Sequence, residues 1–388
     1  MGISKRGNSL VGQEMFKVLD RAKKLERDGE KIIHLELGQA RFSPPKNLIK
    51  QAYGSLLNKE VGYSSSYGLY SLREKIRDKI KIKKNKKILV ENIIISTANL
   101  LITQSLHLLT DQGDKIVCFT PTFPSYLAAS NFLQVNLIQI PLSFQEGFRL
   151  TKKNIDEAIK KNPKVILINS ANNPTGAVYS KEILSYLIKK CIENKIWIIS
   201  DETYADISYK RAFYSLTNNI QDNVIVISSF SKIYSIPGFR LGYAVAQEGI
   251  INRLSLSNST LISCLPIFTQ RAIEKVILTD ENYVKKINSK IKNILNEVVG
   301  ILDRSKKLST KYIKPDAGFY IFINIKHSKM KSFEFCDFFL NEFKVACTPG
   351  ICFGKEYDDF IRISICGAPK DLIKGVALIV RYFDNILG

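Results

Sequence analysis

One lysine of this sequence stands among residues that suit it for chemistry at a carbonyl group. Lys232 is preceded by Ser229 and Ser231 and followed by Arg240, with a proline and a glycine in the loop between them. An arginine can donate two parallel hydrogen bonds to phosphate oxygens, and serine hydroxyls can also donate to them, while the amine stays free to react. A lysine taken at random is a surface residue, but this spacing favours a reactive amine held beside a phosphate.

An amine held beside an aldehyde that carries a phosphate is the arrangement of a pyridoxal phosphate Schiff base. Such a cofactor makes further demands on the chain. Its pyridine nitrogen requires a carboxylate, its ring an aromatic face, its phenolate oxygen hydrogen-bond donors, and its phosphate the backbone N–H groups of a helix start. Each of these groups can be sought at the end of a predicted strand.

Apolar strands that end in polar or aromatic groups recur through the middle of the chain. The predicted strands cover residues 92–96, 114–119, 164–169, 195–200 and 223–227. The lysine segment follows the last of them, and the first four are followed by Thr97-Ala98-Asn99, the loop around Phe123, Asn172-Asn173-Pro174-Thr175-Gly176, and the pair Asp201 and Tyr204. Helical patterns between the strands predict β-α units and a parallel sheet, which places all five groups at its carboxyl edge.

The remaining elements predict a second, smaller unit. They are strands at 31–37 and 318–323, a strand that contains Arg362, and helices at 14–28, 282–302, 333–342 and 370–386. The helix at 14–28 has Phe16 on its apolar face, and the helix at 282–302 is long, amphipathic and suited to joining two domains. We therefore predict a large domain over residues 46–285 and a smaller α+β domain formed by residues 1–45 and 286–388.

Composition bounds the class of protein. The chain has 388 residues, 45% of them hydrophobic, and a formal net charge of +21, which first suggests a nucleic-acid partner. The lysines are scattered, however, and only residues 79–87 form a dense basic run, so we predict no nucleic-acid partner. Seven cysteines without a C-x-x-C pair and three histidines predict neither a disulfide framework nor a metal site. No apolar run is long enough to span a bilayer and no signal peptide is evident, so we predict a cytoplasmic protein.

Read together, these segments are similar to those of a known family. The residues that carry the resemblance are Asn173-Pro174-Thr175-Gly176, Asp201 with Tyr204, Ser229-x-Ser231-Lys232, Gly238-x-Arg240-x-Gly242 and Arg362. As an ordered set they resemble the class I aminotransferases, the large pyridoxal-phosphate family of fold type I, over almost the whole chain. The resemblance implies an α/β fold with a mainly parallel seven-stranded sheet flanked by helices, plus a smaller α+β domain.

The resemblance assigns roles to the residues at the strand ends. Lys232 would form the Schiff base and carry the substrate proton, and Asp201 would keep the pyridine nitrogen protonated. Tyr204 and Asn173 would hydrogen-bond the phenolate oxygen. Phe123 would stack on the ring, with simple loop packing as its alternative. The groups expected around the phosphate are the backbone amides of Ala98, Asn99 and Leu100 and the side chains of Ser229, Ser231 and Arg240.

The resemblance also implies a substrate site and a second subunit. Arg362 resembles the arginine that forks onto the substrate α-carboxylate, with the backbone of Gly38 and the side chain of Asn173 beside it. An arginine inside an apolar strand needs a partner because an unpaired buried charge is costly. Tyr63 resembles the tyrosine that reaches the phosphate of a neighbouring subunit, which implies a homodimer with shared active sites.

The chain departs from the family pattern at two places. Ala98 stands where the family often has glycine, which leaves the backbone donors in place. Ala40 and Arg41 stand where relatives often carry Pro-Asp, and Arg41 could face either a second acidic group of the substrate or solvent. This second departure concerns the choice of substrate.

The leading hypothesis is transamination between an amino acid and a 2-oxo acid, in two half-reactions that share one site and the Arg362 contact. The same cofactor could instead serve a lyase or a decarboxylase, and nothing in the motifs separates these activities. A DNA-binding regulator would need an added module for which no segment is spare, and a nicotinamide oxidoreductase would need a G-x-G spacing that does not occur. The amino donor and the acceptor are left open.

Overall fold

A computed structural model of the chain describes residues 2–8, 10–40, 42–82, 88–210 and 212–385. Its strands are β1 (Ile33–His34), β2 (Ile93–Ser96), β3 (Lys115–Thr120), β4 (Asn136–Pro141), β5 (Val165–Asn169), β6 (Trp197–Asp201), β7 (Val224–Ser229), β8 (Gly242–Val245), β9 (Tyr320–Asn324), β10 (Val345–Ala346), β11 (Thr348–Pro349) and β12 (Phe360–Ser364). Its helices are α1 (Lys5–Asn8), α2 (Met15–Arg27), α3 (Lys46–Leu57), α4 (Tyr70–Ile82), α5 (Ala98–Leu109), α6 (Ser125–Leu133), α7 (Lys152–Lys160), α8 (Lys181–Glu193), α9 (Phe230–Ile233), α10 (Glu248–Leu261), α11 (Ile267–Glu274), α12 (Glu281–Arg304), α13 (Ser332–Phe343) and α14 (Pro369–Asn385).

The largest sheet has seven strands in the order β2-β8-β7-β6-β5-β3-β4. All neighbouring pairs are parallel except those of β8, which runs antiparallel to both β2 and β7. The predicted α/β fold with a mainly parallel seven-stranded sheet is therefore confirmed. Because β2, β3, β5, β6 and β7 point the same way, their carboxyl ends meet at one edge of this sheet.

Both faces of the seven-stranded sheet are covered by apolar residues. Along β5, Ile166 and Ile168 belong to one hydrophobic cluster, and Val165 and Leu167 belong to another on the opposite face. All five residues of β5 are buried. A strand that is buried on both faces gains from apolar side chains at every position, which is why its sequence is a continuous apolar run without alternation.

A smaller layer combines segments from both ends of the chain. Strands β11, β12 and β9 form an antiparallel sheet, and β1 pairs in parallel with β10. The strand predicted at 31–37 forms a regular ladder only at Ile33–His34. Beyond it, Leu35 donates to Ala346 on one side and accepts from Ser364 on the other, so the chain passes between two short sheets instead of extending one.

Helix α12 is the longest helix in the described part of the chain, with 24 residues, and matches the long helix predicted at 282–302. Its apolar stripe, formed by Ile287, Ile291, Leu295 and Val298, is buried, and the helix packs against α14. The residue spacing of three and four along this stripe keeps one face apolar and leaves charged residues on the other. Across the described ranges, no helix has the length and the apolar character needed to cross a membrane.

Candidate active site

The carboxyl ends of five strands and the loops after them line one cavity. The strand ends are Ser96, Thr120, Asn169, Asp201 and Ser229. The cavity holds about 370 Å³, which lies in the range of small-molecule sites. It lies where open α/β sheets place their ligands, at the carboxyl edge of the strands. Most of the residues predicted from the sequence to carry the chemistry line it.

Asp201 is a buried carboxylate held by three hydrogen bonds. Its Oδ1 accepts from the backbone N–H and the hydroxyl of Thr203 at 3.0 and 2.6 Å, and its Oδ2 accepts from the hydroxyl of Tyr126 at 2.9 Å. Burial raises the pKa of Asp201, while these donors and the charge of Lys232 oppose the rise. Within the described residues, no cationic side chain lies within 4.0 Å of this carboxylate. A cationic group bound against it would favour the ionised form.

Lys232 lies on the single-turn helix α9, which Ser229 caps by accepting a hydrogen bond from the backbone of Ser231 at 3.2 Å. The lysine Nζ projects into the cavity and donates to the carbonyl of Gly38 at 2.7 Å. Burial lowers the pKa of Lys232 to about 8, and the positive charge of Arg362 adds to this effect. The amine is therefore partly neutral near physiological pH, which an attacking nucleophile or a general base requires.

The start of helix α5 faces the same cavity. Thr97 caps this helix, and the residues that line the cavity there are Ala98 and Asn99. Free backbone N–H groups at a helix start attract anions. Leu100 does not line the cavity, and its backbone N–H donates to the Thr97 hydroxyl at 3.3 Å. Its expected contact with phosphate stays a prediction.

Three more candidate anion-binding side chains line the same cavity. Ser229 and Ser231 are buried and line the cavity, and Arg240 lines it from an exposed loop. The Arg240 backbone is left-handed, with φ of 54°, and its guanidinium donates to the carbonyl of Pro237 at 2.8 Å. This bond uses one of five N–H donors, so the others can point at an anion in the cavity.

Arg362 is fully buried on β12, in the three-stranded sheet. Its guanidinium donates to the side chain of Asn173 at 3.0 Å, to the hydroxyl of Thr348 at 3.0 Å and to the carbonyl of Glu36. Its Nε is buried without a hydrogen-bond partner among the described residues, and no described carboxylate lies within 4.0 Å of the guanidinium. A buried cation of this kind is costly until an anion binds to it.

Two tyrosines line the cavity beside this arginine. The hydroxyls of Tyr204 and Tyr320 are 2.9 Å apart, and the guanidinium of Arg362 lies 4.2 Å from the centre of the Tyr320 ring. Burial raises the pKa of Tyr204 well above its ordinary value and also raises the pKa of Tyr320, so both hydroxyls keep their protons. Asn173 accepts from Arg362 through Oδ1, which leaves its Nδ2 group as the donor it can offer to a ligand.

Three further predicted residues differ in their placement. Phe123 lines the cavity, as does Gly38, where an added Cβ would collide with the hydroxyl of Tyr320. Tyr63 is 89% exposed and does not line the cavity of its own chain. Arg41, the candidate contact for a second acidic group, lies outside the described residues, as does most of the basic run at 79–87.

The sequence matches the family described as Aminotransferase class I and II over residues 30–378. The chain belongs to this family. This family depends on pyridoxal phosphate, and its description and the aspartate aminotransferases among its relatives indicate a transferase of amino groups, so the predicted family and the predicted enzyme class, EC 2.6.1, are both confirmed.

Individual relatives of this aminotransferase cover its full length. An aspartate aminotransferase of Thermotoga maritima is 28% identical over 99% of this chain and 100% of the relative. A (5-formylfuran-3-yl)methyl phosphate transaminase of Methanocaldococcus jannaschii is 31% identical over 99% of this chain and 100% of the relative. The solved structure of Thermus thermophilus aspartate aminotransferase with maleate superimposes with a TM-score of 0.92 at 22% identity, covering 98% of this chain and 99% of that chain. None of these proteins is named as a lyase or a decarboxylase.

The cavity of this aminotransferase fits the cofactor of its family. A buried carboxylate that lacks a cationic partner, Asp201, suits a protonated pyridine nitrogen. A partly buried amine of lowered pKa, Lys232, suits an aldehyde carbon. The helix start at Ala98 and the guanidinium of Arg240 suit a phosphate, and Phe123 can cover one face of a ring.

Sequence reasoning missed several residues that surround these groups. Thr203 and Tyr126 hold Asp201, and Tyr320 lies between Tyr204 and Arg362. Thr203 could have been found, because a hydroxyl two residues after an aspartate often closes a local turn. Tyr126 and Tyr320 carry no such local signal. Phe16, predicted to lie on the apolar face of its helix, is 46% exposed and lines the cavity.

Proposed function

We propose that this aminotransferase holds pyridoxal phosphate in the cavity at the sheet edge, with Lys232 as the residue that forms the Schiff base and transfers the substrate proton. The observation that carries the proposal is the Lys232 amine, of pKa about 8, in one cavity with the carboxylate of Asp201 and the guanidinium of Arg362. When bound, the cofactor supplies an electron sink for the bonds at the substrate α-carbon.

The residues at the cofactor end have separate tasks in this proposal. Asp201 keeps a positive charge at the pyridine nitrogen, and Tyr126 and Thr203 orient its carboxylate. Tyr204 and Asn173 donate to the phenolate oxygen. Phe123 stacks on the ring, and the phosphate is bound by Ala98, Asn99, Leu100, Ser229, Ser231 and Arg240.

The residues at the substrate end bind the group that every substrate shares. Arg362 binds the α-carboxylate, which supplies the anionic partner that this buried guanidinium lacks. Gly38 and Asn173 flank that carboxylate. Because the amino acid and the 2-oxo acid both carry it, one site can serve both half-reactions. Lys232 would move the proton from the substrate α-carbon to the cofactor carbon C4′ within the first half-reaction, and in the opposite direction within the second.

We also propose a homodimer in which Tyr63 reaches the phosphate of the second subunit. Tyr63 is 89% exposed in the single chain. Exposed apolar side chains precede it on α3 and in the loop after that helix, namely Tyr53, Leu57 and Val61. Neighbouring apolar groups of this size on a surface mark an interface. A second copy that covers them would also bring Tyr63 to its target.

The proposal extends to domain organisation and compartment. The strands of the seven-stranded sheet lie between residues 93 and 245, and the other strands lie before residue 35 or after residue 319. This separation supports a large domain at 46–285 and a smaller one formed by 1–45 and 286–388. The seven free cysteines, five of them buried, support a reducing compartment such as the cytoplasm.

The deciding experiment adds pyridoxal phosphate to the purified protein and follows its visible absorbance while amino acids are supplied one at a time. Transamination predicts that a donor bleaches the band, that a stoichiometric 2-oxo acid is released, and that a second oxo acid restores the band. Lys232→Ala is the matched control and should bind the cofactor without the band of the wild type. Release of ammonia or carbon dioxide in place of the oxo acid would contradict the proposal.

Shared active sites can be tested by mixing two inactive variants. If Tyr63 acts across the interface, a dimer of one Lys232→Ala subunit and one Tyr63→Ala subunit contains one wild-type site and one doubly altered site. Mixing should then restore up to half of the wild-type activity per mixed dimer. No recovery, in a mixture shown by mass to contain mixed dimers, would contradict shared sites.

A further inference from the structure

The mouth of the cavity is built from a different part of the chain than its floor. Its side chains are Gln13, Met15 and Phe16, around the start of α2, and Leu37 and Gln39, in the segment after β1. We call these five residues the mouth. Three are apolar and two are neutral amides. None carries a charge.

The charged residues that line the cavity are few. In the described part of the chain they are Asp201, Lys232, Arg240 and Arg362. The proposed function already uses each of the three cations, for the Schiff base, the phosphate and the α-carboxylate. A second carboxylate on the substrate would therefore find no described cation of this chain left to bind it.

Other cations near the start of α2 are occupied. The ammonium of Lys17 lies 2.7 Å from a carboxylate oxygen of Glu14 and is 70% exposed. Arg21 pairs with Asp337. Neither Lys17 nor Arg21 lines the cavity. An acidic substrate side chain at the mouth would lose hydration without gaining an ion pair from these groups.

The apolar groups of the mouth favour an apolar substrate side chain. Phe16 is 46% exposed, and Met15 and Leu37 are partly buried. A substrate side chain that covers them removes apolar surface from water on both partners. Methionine has no branch at Cβ and adapts its shape, so Met15 can follow side chains of different outline. Gln13 and Gln39 can line the rim without requiring a charged group.

We propose that this aminotransferase selects amino acids with neutral, apolar or aromatic side chains, and that Met15, Phe16 and Leu37 make the selection. The proposal rests on the proposed function, because it takes Arg362 as the contact for the α-carboxylate. The proposed preference differs from that of the several relatives named as aspartate aminotransferases, whose named substrate is a dicarboxylic amino acid. Two relatives of similar identity carry names with different substrates, so overall similarity does not decide the substrate.

The first test compares single half-reactions of the loaded enzyme. Phenylalanine, leucine and methionine are mixed with it separately, and so are aspartate and glutamate. The measured quantity is the bleaching rate constant divided by the apparent dissociation constant. We expect the best neutral donor to exceed both acidic donors by at least about tenfold. Equal values, or a preference for aspartate or glutamate, would overturn the proposal.

A charge placed at the mouth provides the second test. Met15→Arg should raise the ratio of aspartate to leucine by at least about tenfold, because it supplies the missing cation. Val11→Arg is the matched control, since it adds the same charge at an exposed residue of the same segment that does not line the cavity. It should leave the ratio within about twofold of the wild type. Equal responses of the two variants would overturn the role of the mouth.

Two further variants test whether Phe16 or Arg41 determines the choice of amino acid. Phe16→Ala should lower the preference for phenylalanine over alanine by about tenfold without changing the affinity for the cofactor. Arg41→Gln should leave all donor ratios unchanged, and a selective loss of aspartate turnover in that variant would assign selection to Arg41 instead. If no amino acid bleaches the band, the proposed function fails and the inference fails with it. If acidic donors alone react, only the inference fails.

Discussion

The two ends of the active-site cavity are built in different ways. At the cofactor end, Asp201 is buried at a strand end and accepts three hydrogen bonds of 2.6 to 3.0 Å. At the mouth, Phe16 is 46% exposed on the first turn of α2, and the N-cap residue Glu14 makes no capping hydrogen bond with its side chain. In the proposed function, buried hydrogen bonds support the reaction, and the substrate side chain meets partly exposed apolar groups.

This difference indicates at which positions residues can be substituted without loss of the reaction. A group held by several buried bonds cannot be replaced without leaving a donor or an acceptor unpaired. Helix α2 is anchored by its buried residues Val18 and Ala22, so the residues on its first turn can vary while the helix stays in place. With selection at the mouth as proposed, substrate choice can evolve there while the cofactor end stays constant.

The largest effect should come from Lys232. Replacing it by methionine removes the amine that forms the Schiff base and moves the proton, and we expect transamination to fall by at least about 10⁴-fold. Steady-state turnover with the best donor measures this loss. Activity within tenfold of the wild type would show that another base acts and would place the chemistry elsewhere in the cavity.

Arg362→Lys should lower kcat/KM by about 10²-fold or more. Lysine keeps the charge, but a single ammonium cannot reproduce the fork that donates to Asn173 and Thr348 while it also binds a carboxylate. Cofactor affinity, measured by absorbance titration, should stay within about threefold of the wild type because Arg362 belongs to the substrate end. A large loss of cofactor affinity would contradict this division of the cavity.

The stability of the cofactor-free protein should show the cost of holding the Lys232 amine in the cavity. The pKa of Lys232 is lowered by burial to about 8 from 10.5, so its charged form destabilises the fold below pH 8 and this cost fades as the pH rises towards 10.5. Lys232→Met should stabilise the protein by roughly 3 kcal/mol at pH 6 to 7, with the gain shrinking above pH 8. Urea unfolding at several pH values measures it. Lys189→Met, at an exposed position, is the control and should show no such dependence.

Tyr126→Phe tests the support of Asp201. The variant loses the 2.9 Å hydrogen bond to Oδ2 while keeping the ring, so we expect a loss of about 1 kcal/mol in the free energy of unfolding and about tenfold in cofactor affinity. Tyr186→Phe removes a hydroxyl bound to Asp156, away from the cavity, and should leave cofactor affinity unchanged. Equal affinities in the two variants would show that Tyr126 does not position Asp201.

The smallest effect on stability is expected at the mouth. Phe16→Ala should change the free energy of unfolding by less than about 1 kcal/mol, because nearly half of the side chain is already in water. Thermal unfolding of the cofactor-free protein checks this value. A loss as large as that expected for a fully buried phenylalanine, about 3 kcal/mol or more, would mean that Phe16 holds the helix in place and is not free to vary.

Local sequence patterns determined the sheet and most of the cofactor end. Strands buried on both faces appear as continuous apolar runs, and the residue that follows such a run falls at the carboxyl edge of the sheet. The amino-acid sequence therefore suffices to assign Asp201 and Lys232 to one site, although 31 positions separate them. The long apolar stripe of α12 was equally predictable from the sequence, because the spacing of its residues depends only on the geometry of the helix.

Only the tertiary structure decided which distant side chains complete the site. Tyr126 on α6 donates to Asp201, 75 positions away, and the hydroxyl of Tyr320 on β9 meets that of Tyr204, 116 positions away. Phe16, expected from the sequence to lie in the core, lines the cavity because of how α2 packs against its neighbours. Periodicity and turn signals act over a few residues. Contacts between residues so far apart in the sequence depend on how whole elements pack, and no short stretch of sequence contains that information.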